Sequence, residues 1–396
     1  FSDGVEAAGV TAYTVYNHML LPTVFRSLEE DYHHLKHAVQ IWDVACERQV
    51  EVRGPDAARL VQMLTPRDLR GMLPGQCYYV PMVDETGGML NDPVAVKLAE
   101  DRWWISIADS DLLLWVKAMA NGYRLDVLVD EPDVSPLAVQ GPHSDDLMAR
   151  VFGDNIRQLR FFRFGHFDFH GRDMVVARSG YSKQGGFEIY VEGSDIGMPL
   201  WNALMEAGRD LDVRAGCPNA IERIEGGLLS YGNDMTRENT PHECGLGRFC
   251  NTATAIGCVG RDALLRVAKE VPVKQIRAIE IGAQSLPRCD RPWPLLAGEK
   301  QVGIVTSAAQ SPDFGCGVAI GMVRMTHWDE GTELDVHTQD GVLPAVVHEE
   351  FWDRKQDVAA LYSREAEKGD RHDISRIGGG RGRTGPEIGQ RSDARG

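Results

Sequence analysis

The chain has 396 residues, 43% hydrophobic and 25% charged, a globular balance with length for two or three domains. Fifty-eight acidic residues against 42 Lys and Arg leave a formal charge of −16, which argues against a surface that grips a nucleic-acid backbone. No apolar run approaches the ~20 residues of a membrane span, and Phe1 to Val10 has neither the basic start nor the apolar block of a signal peptide.

In chain order, Pro55 to Leu64 reads as a short helix and Cys77 to Val83 as a strand. Asp84-Glu85-Thr86-Gly87-Gly88 has turn chemistry, and Met89 to Leu98 returns as a second strand. Trp103 to Ala108 is a further strand, and Asp111 to Asn121 an amphipathic helix. Leu137 to Pro142 is a strand ending in a turn, with a helix over Ser144 to Val151. Phe164 to His170, Asp173 to Arg178 and Phe187 to Val191 are strand-like, while Leu200 to Ala207 and Ala220 to Leu229 are helical. Strand pairs and helices interleave, which is an α+β texture rather than strict βαβ alternation.

From about Val273 the texture changes. Ile276 to Ile281, Glu299 to Thr306, Gly317 to Val323 and Glu333 to Val336 are short strands split by Gly, Pro and Asp, the pattern of a small all-β barrel. After Trp352 the chain turns Gly- and Arg-rich with little apolar content, so residues 353–396 are expected to be a disordered tail.

The eight cysteines form no CxxC pair and read as reduced thiols of a cytoplasmic protein. Cys244, Cys250 and Cys258 lack the close pairing of a zinc site. His166, Asp168 and His170 alternate on one strand, and His33 and His37 lie one helical turn apart; polar faces of amphipathic elements account for both. No metal is expected.

Three stretches carry chemistry. In Gly87-Gly88-Met89-Leu90-Asn91-Asp92-Pro93, proline cannot donate to a ladder and forces the preceding residue extended. Asp92 should therefore sit at a bulge or edge, with its carboxylate free to point away from a neighbouring strand. In Ser179 to Tyr190 a Gly-rich turn enters a strand on which Glu188 and Tyr190 share a face. An acid beside an aromatic could hold a flat hydrogen-bonding ring or a cation. Glu222 to Asp234 reads as a helix stopped at Tyr231-Gly232, with Gly226-Gly227 permitting a close approach. Taken singly, each has a plain structural reading: a surface turn, a solvated strand face, a helix ending at glycine.

Their order, GGxxND, then GYxxxGGFEIY, then RIEGGLLxYGND, resembles the folate-dependent aminomethyltransferase family of the glycine cleavage T-protein. Val139-Gln140-Gly141-Pro142 and Gly257 to Arg261 match further elements, and the likeness spans about Tyr32 to Val347. Within the family the chain is most similar to the dimethylsulfoniopropionate demethylases, through Ala12 to Thr23, Glu30 to Lys36 and Ile107 to Asp111.

The resemblance implies a three-lobed, cloverleaf-like aminomethyltransferase fold, with a folate-binding body of two intertwined α+β lobes over 1–272 and a β-barrel over 273–352. It implies tetrahydrofolate as co-substrate, Asp92 as the catalytic aspartate beside the pterin, and Glu188 pairing with the pterin edge. Tyr79 and Arg223 fall where folate contacts are expected. A sulfonium donor offers no N–H, so aromatic faces should hold it: Tyr190 first, with Tyr181 and Trp42 (and Tyr79) as further candidates. The alternatives are a glycine-cleavage aminomethyltransferase, an N-methyl amine demethylase and a non-enzymatic folate binder. The last carries a KGCYxGQE-type motif where this chain has Arg223-Ile224-Glu225-Gly226-Gly227-Leu228.

Overall fold

The computed structural model describes residues 1–270 and 272–352. The expected tail, 353–396, lies outside the described residues.

Two sheets form the body. The first is antiparallel throughout, in the order Leu128–Asp130, Gln49–Arg53, Arg102–Ser106, Val94–Ala99, Gln76–Tyr79. Alternation along these strands sends Val50, Val52, Tyr78, Ala95, Trp103 and Ile105 to one face. There they pack on helices Ala57–Leu64 and Leu112–Gly122. The second sheet has six strands, Phe164–Phe169, Arg172–Ala177, Gly186–Glu192, Val134–Gln140, Val39–Asp43 and Val213–Gly216, the last pair parallel. Val39, Ile41, Leu137, Val139, Phe187 and Ile189 line its apolar face, against helices Ser144–Phe152 and Gly197–Ala207.

Lys274–Ile281, Gly317–Arg324, Lys300–Gln310, Trp293–Ala297, Glu333–Thr338 and Gly341–His348 close into a six-stranded barrel. Its interior holds Ile279, Ile281, Trp293, Leu295, Val302, Val305 and Val347. A further core joins Tyr32, Ile221 and Ile224 to Ile276, Val318 and Ile320 on the barrel's outer wall. The expected α+β fold with a C-terminal barrel is therefore present.

Several boundaries differ from the sequence reading. The strand expected over Cys77 to Val83 is two, Gln76–Tyr79 and Met82–Val83, broken before Pro81. Met89 to Leu98 is likewise split into Met89–Asn91 and Val94–Ala99 at Asp92-Pro93, because Pro93 has no N–H to offer either ladder. The helix expected over Ala220 to Leu229 ends at Glu225, since Gly227 takes a φ of +65°. Before Pro55 the sequence reading placed His33 and His37 one helical turn apart but bounded no element; the structure has helix Ser2–Ala7, a hairpin Ala12–Tyr16/Met19–Val24, helix Leu28–His37, and strands Val39–Asp43 and Gln49–Arg53.

Candidate active site

Each sheet of the body spends one face on an apolar core, and the other faces meet. On the first sheet the register places Cys77, Tyr79, Trp104, Ser106, Gln49 and Glu51 on that second face. On the second sheet, cross-strand partners Trp42, Ala138 and Glu188 form one row, with Gln40, Gln140 and Tyr190 on neighbouring rows of the same side. The Trp104 and Tyr190 rings, one from each sheet, lie 5.7 Å apart. A layer between two sheets is ordinarily apolar. Here it buries Gln40, Gln49, Glu51, Ser106, Gln140, Ser179 and Glu188, which marks it as a site.

Asp92 belongs to neither ladder: Asn91 pairs with Met82, and Val94 with Tyr79 and Ser106. Asn91 is pinned beneath it. Its amide donates to Ala108 O (2.9 Å) and Ser110 Oγ (2.8 Å) and its Oδ1 accepts from Ala108 N (2.9 Å). Pro93 O accepts from Val80 N at 2.9 Å. Between these anchors Asp92 Oδ2 accepts from the Tyr79 hydroxyl at 2.8 Å, while Oδ1 is buried with no hydrogen-bond partner among the described residues. Burial pushes the Asp92 carboxyl up to about 7, against the lowering effect of the Tyr79 bond. Its charge also bears on the phenols of Tyr16, Tyr79, Tyr181 and Tyr231, all raised chiefly by burial.

Glu188 is built from its own loop. Gln140 Nε2 donates to Ser179 O (3.1 Å), and Ser182 Oγ donates to Gln140 Oε1 (2.8 Å). The Ser179 hydroxyl so held donates to Glu188 Oε2. A Cβ on Gly180 would fall 2.0 Å from Gln140 Nε2, and one on Gly186 would fall 2.2 Å from Val139 O, so close approach explains the glycines of the second motif. Gly186→Ala is expected to cost about 1–3 kcal/mol, read as a lower denaturation midpoint; an unchanged midpoint would show that this backbone yields freely.

The remaining expected residues are placed unequally. Tyr190 is fully buried and its hydroxyl has no partner in hydrogen-bonding geometry. Tyr181 donates to Leu229 O (2.8 Å) and Leu228 O (3.1 Å), so its hydroxyl is committed to backbone. Trp42 Nε1 donates to Gln40 Oε1 (2.8 Å), and the indole packs with Leu21, Leu35, Val44 and Cys46. Arg223 is tied to Asp234 Oδ2 (2.6 Å), Ser307 Oγ (2.6 Å) and Leu228 O (3.2 Å). Three of its five N–H donors are thus committed within the protein, and its charge lies within electrostatic reach of Tyr181.

The structure adds residues that the sequence did not single out. Tyr16 stands at the Asn17-His18 turn, where both residues have positive φ. The Asn17 side chain bonds Cys46 O (3.0 Å) and accepts from Ser110 N (3.0 Å), clamping the hairpin beside Asp92. Phe249 meets the Tyr79 ring edge-on at 5.3 Å. Glu47 lies beside Ser106 and Glu188. All three come from separate segments, and only the hairpin turn had a local signal, its Asn. Among the described residues no group of His, Cys, Asp or Glu is arranged to hold a metal ion; His166 instead meets Asp173 at 2.6 Å on the exposed surface.

The layer can thus hold a flat ring with several N–H donors against carboxylates, and a cation against phenol and indole faces. The partnerless Asp92 Oδ1 and the carboxylate of Glu188 are acceptors of the kind such a ring requires.

Residues 1–254 match the GCVT N-terminal domain, and 274–353 match the glycine cleavage T-protein C-terminal barrel domain. The chain is 63% identical over 352 residues to the dimethylsulfoniopropionate demethylase DmdA of Ruegeria pomeroyi, covering 89% of this chain and 96% of that protein. It is 26% identical over 343 residues to an aminomethyltransferase of Clostridium botulinum (85% and 92% covered). Among solved structures, the glycine cleavage system aminomethyltransferase T of Bartonella henselae shares the fold, with a TM-score of 0.78 at 23% identity over 87% of this chain and 94% of that one.

Proposed function

Since the chain belongs to the glycine cleavage T-protein (GCVT) family, we propose that its polar layer is the site of a tetrahydrofolate-dependent demethylase. The enzyme transfers a methyl group from dimethylsulfoniopropionate to N5 of tetrahydrofolate, giving 3-(methylthio)propanoate and 5-methyltetrahydrofolate. The observation that carries this reading is 63% identity to DmdA across 89% of the chain. In the division of labour proposed here, 1–272 forms the folate-binding body and 273–352 the barrel. No helix of the described residues is long and apolar enough to cross a membrane, and a cytoplasmic enzyme is part of the same reading.

Bound folate supplies the nucleophilic nitrogen. Every other contribution comes from the chain. Asp92, through its unpartnered Oδ1, would take the proton of the reacting nitrogen once methylation has made it acidic. Tyr79 holds Oδ2, so that a single oxygen is presented. Glu188 accepts from the pterin edge, oriented by Ser179. Tyr190, backed by Trp104, offers its face to the onium group, a contact worth about 0.5–2 kcal/mol. Trp42 and Tyr181 shape the walls, with their polar atoms turned to Gln40 and to backbone carbonyls. Arg223 braces the rim through Asp234. No covalent enzyme intermediate is needed; the layer aligns the two substrates and excludes water.

Purified protein given tetrahydrofolate and dimethylsulfoniopropionate is expected to form both products in equal amounts, followed by chromatography of the folate and the thioether. Transfer only from dimethylglycine or a related amine would overturn the reading in favour of an amine demethylase.

A further inference from the structure

Glu188 is not the only acid in the layer. Glu47 closes a turn, its N–H on Val44 O at 2.9 Å, just before strand Gln49–Arg53. Gln49 Nε2 fixes that turn by donating to Glu47 O (2.8 Å) and to Ser106 Oγ (3.0 Å). Ser106 Oγ in turn reaches Glu47 Oε2 at 3.4 Å. The charged and titratable groups that bear on this carboxylate come from three segments: Glu188 and Tyr190 of the second sheet, Tyr16 of the hairpin, and Cys46 beside it.

Burial and the Glu188 charge both push the Glu47 carboxyl well above the usual range, and burial raises Glu188 as well. No Lys or Arg among the described residues lowers either acid. Tyr190, fully buried, bears on both acids: its hydroxyl helps to hold the Glu188 charge, and the charges of Glu188 and Glu47 both raise the phenol. Two acids brought together in such a layer with no cation beside them favour their neutral forms, and a positive group placed against both restores their charges.

We propose that Glu47 is the specificity residue for the methyl donor, setting a carboxylate opposite Glu188 so that a positively charged onium group, rather than a neutral thioether, is held against Tyr190. This rests on the demethylase reading and names the part of the site that selects its donor. The electron balance gives the role a signature. As the methyl carbon leaves, the C–S pair returns to sulfur and the sulfonium charge disappears, while the nitrogen lone pair forms the new N–C bond and that nitrogen's proton passes to Asp92. A carboxylate beside sulfur therefore favours the charged ground state at least as much as the transition state. It acts on donor binding rather than on the chemical step, and its attraction vanishes with the charge, which lets the thioether leave.

Glu47→Gln keeps the shape and removes the charge. It is expected to raise KM for dimethylsulfoniopropionate at least tenfold, with kcat and the KM for tetrahydrofolate within about twofold of wild type. Wild type should also bind the donor at least tenfold more tightly than 4-methylpentanoate, in which carbon replaces the charged sulfur; the Gln variant should bind the two alike. Glu47→Asp, which keeps the charge, should retain the discrimination, and it serves if the Gln variant does not fold. Undiminished discrimination in Glu47→Gln, an equal loss in Glu47→Asp, or equal binding of the two ligands by wild type would overturn the proposal. Absence of methyl transfer from the sulfonium by wild type would instead sink the functional reading, so the two failures are told apart.

Discussion

Asp92→Asn is expected to lower kcat for methyl transfer by about 10²–10⁴-fold, the range for loss of a positioned proton acceptor, while KM for the methyl donor changes little. Asparagine keeps the size of the side chain and can still accept from Tyr79, so the bond at Oδ2 and the fold should survive. What is lost is the anionic acceptor at the partnerless oxygen. Because burial raises the wild-type carboxyl to about 7, the active, ionised form should appear as pH rises through neutrality. The wild-type rate should therefore climb across about pH 6–8, and the residual rate of the Asn variant should be flat there. A variant with full activity, or one keeping the wild-type pH profile, would remove Asp92 from the mechanism.

The same group has a stability consequence of definite sign. Its folded pKa lies above the ordinary 3.8, so between 3.8 and about 7 the native state binds more protons than the unfolded chain. This group's contribution to stability therefore falls as pH rises through that window, and the cost is fully present above it. Asp92→Asn should be more stable than wild type at pH 8, by on the order of 1–3 kcal/mol, and indistinguishable below pH 3.8 as far as this residue is concerned. Denaturant titrations at the two pH values test it.

Arg223→Met should cost about 3–5 kcal/mol of stability, the typical penalty for removing one partner of a buried ion pair. The Asp234 side chain is wholly buried, and that of Arg223 is 12% exposed. Besides Arg223, Asp234 accepts from Ser230 N (2.9 Å), Thr306 Oγ1 (2.7 Å) and Ser307 Oγ (2.6 Å). Thr306 and Ser307 lie on barrel strand Lys300–Gln310, whereas Arg223 lies on helix Ala220–Glu225. The pair therefore fastens the body to the barrel. Without the guanidinium, Asp234 keeps its hydroxyl and N–H donors but loses its cation, and a desolvated charge is left behind. Arg223→Met combined with Asp234→Leu should recover a large part of the loss, since replacing both partners removes the buried charge. A midpoint unchanged in Arg223→Met, together with a raised KM for folate, would overturn this bracing role and put the guanidinium on the folate instead.

The legible features were those set by neighbours in the chain. Turn chemistry at Asp84 to Gly88 and the Asp92-Pro93 step announced an interrupted ladder, and the structure has one there, although the sequence reading ran a strand through it. The shared face of Glu188 and Tyr190 follows from the period of a strand, and both lie in Gly186–Glu192. Whether that face met water or protein was beyond local pattern. Arg223 shows the same limit: an arginine after a glutamate on a short helix has no local sign that an aspartate eleven positions on will claim it.

The opening composition, with its excess of acids, takes on a different meaning at Glu47, Asp92 and Glu188. Sequence alone determined an α+β body followed by a barrel, the order of the motifs, and the candidates Asp92 and Glu188, because strand period, proline geometry and glycine turns act over a few residues. Tertiary structure alone decided that Glu188 is buried and Glu47 and Asp92 part-buried, that Tyr79 occupies one oxygen of Asp92, and that Glu47 and Glu188 share a layer. The reason is that burial and electrostatic coupling depend on which sheet faces are brought together, and residues 141 positions apart, such as Glu47 and Glu188, acquire a common environment only when two sheets pack with their polar sides inward.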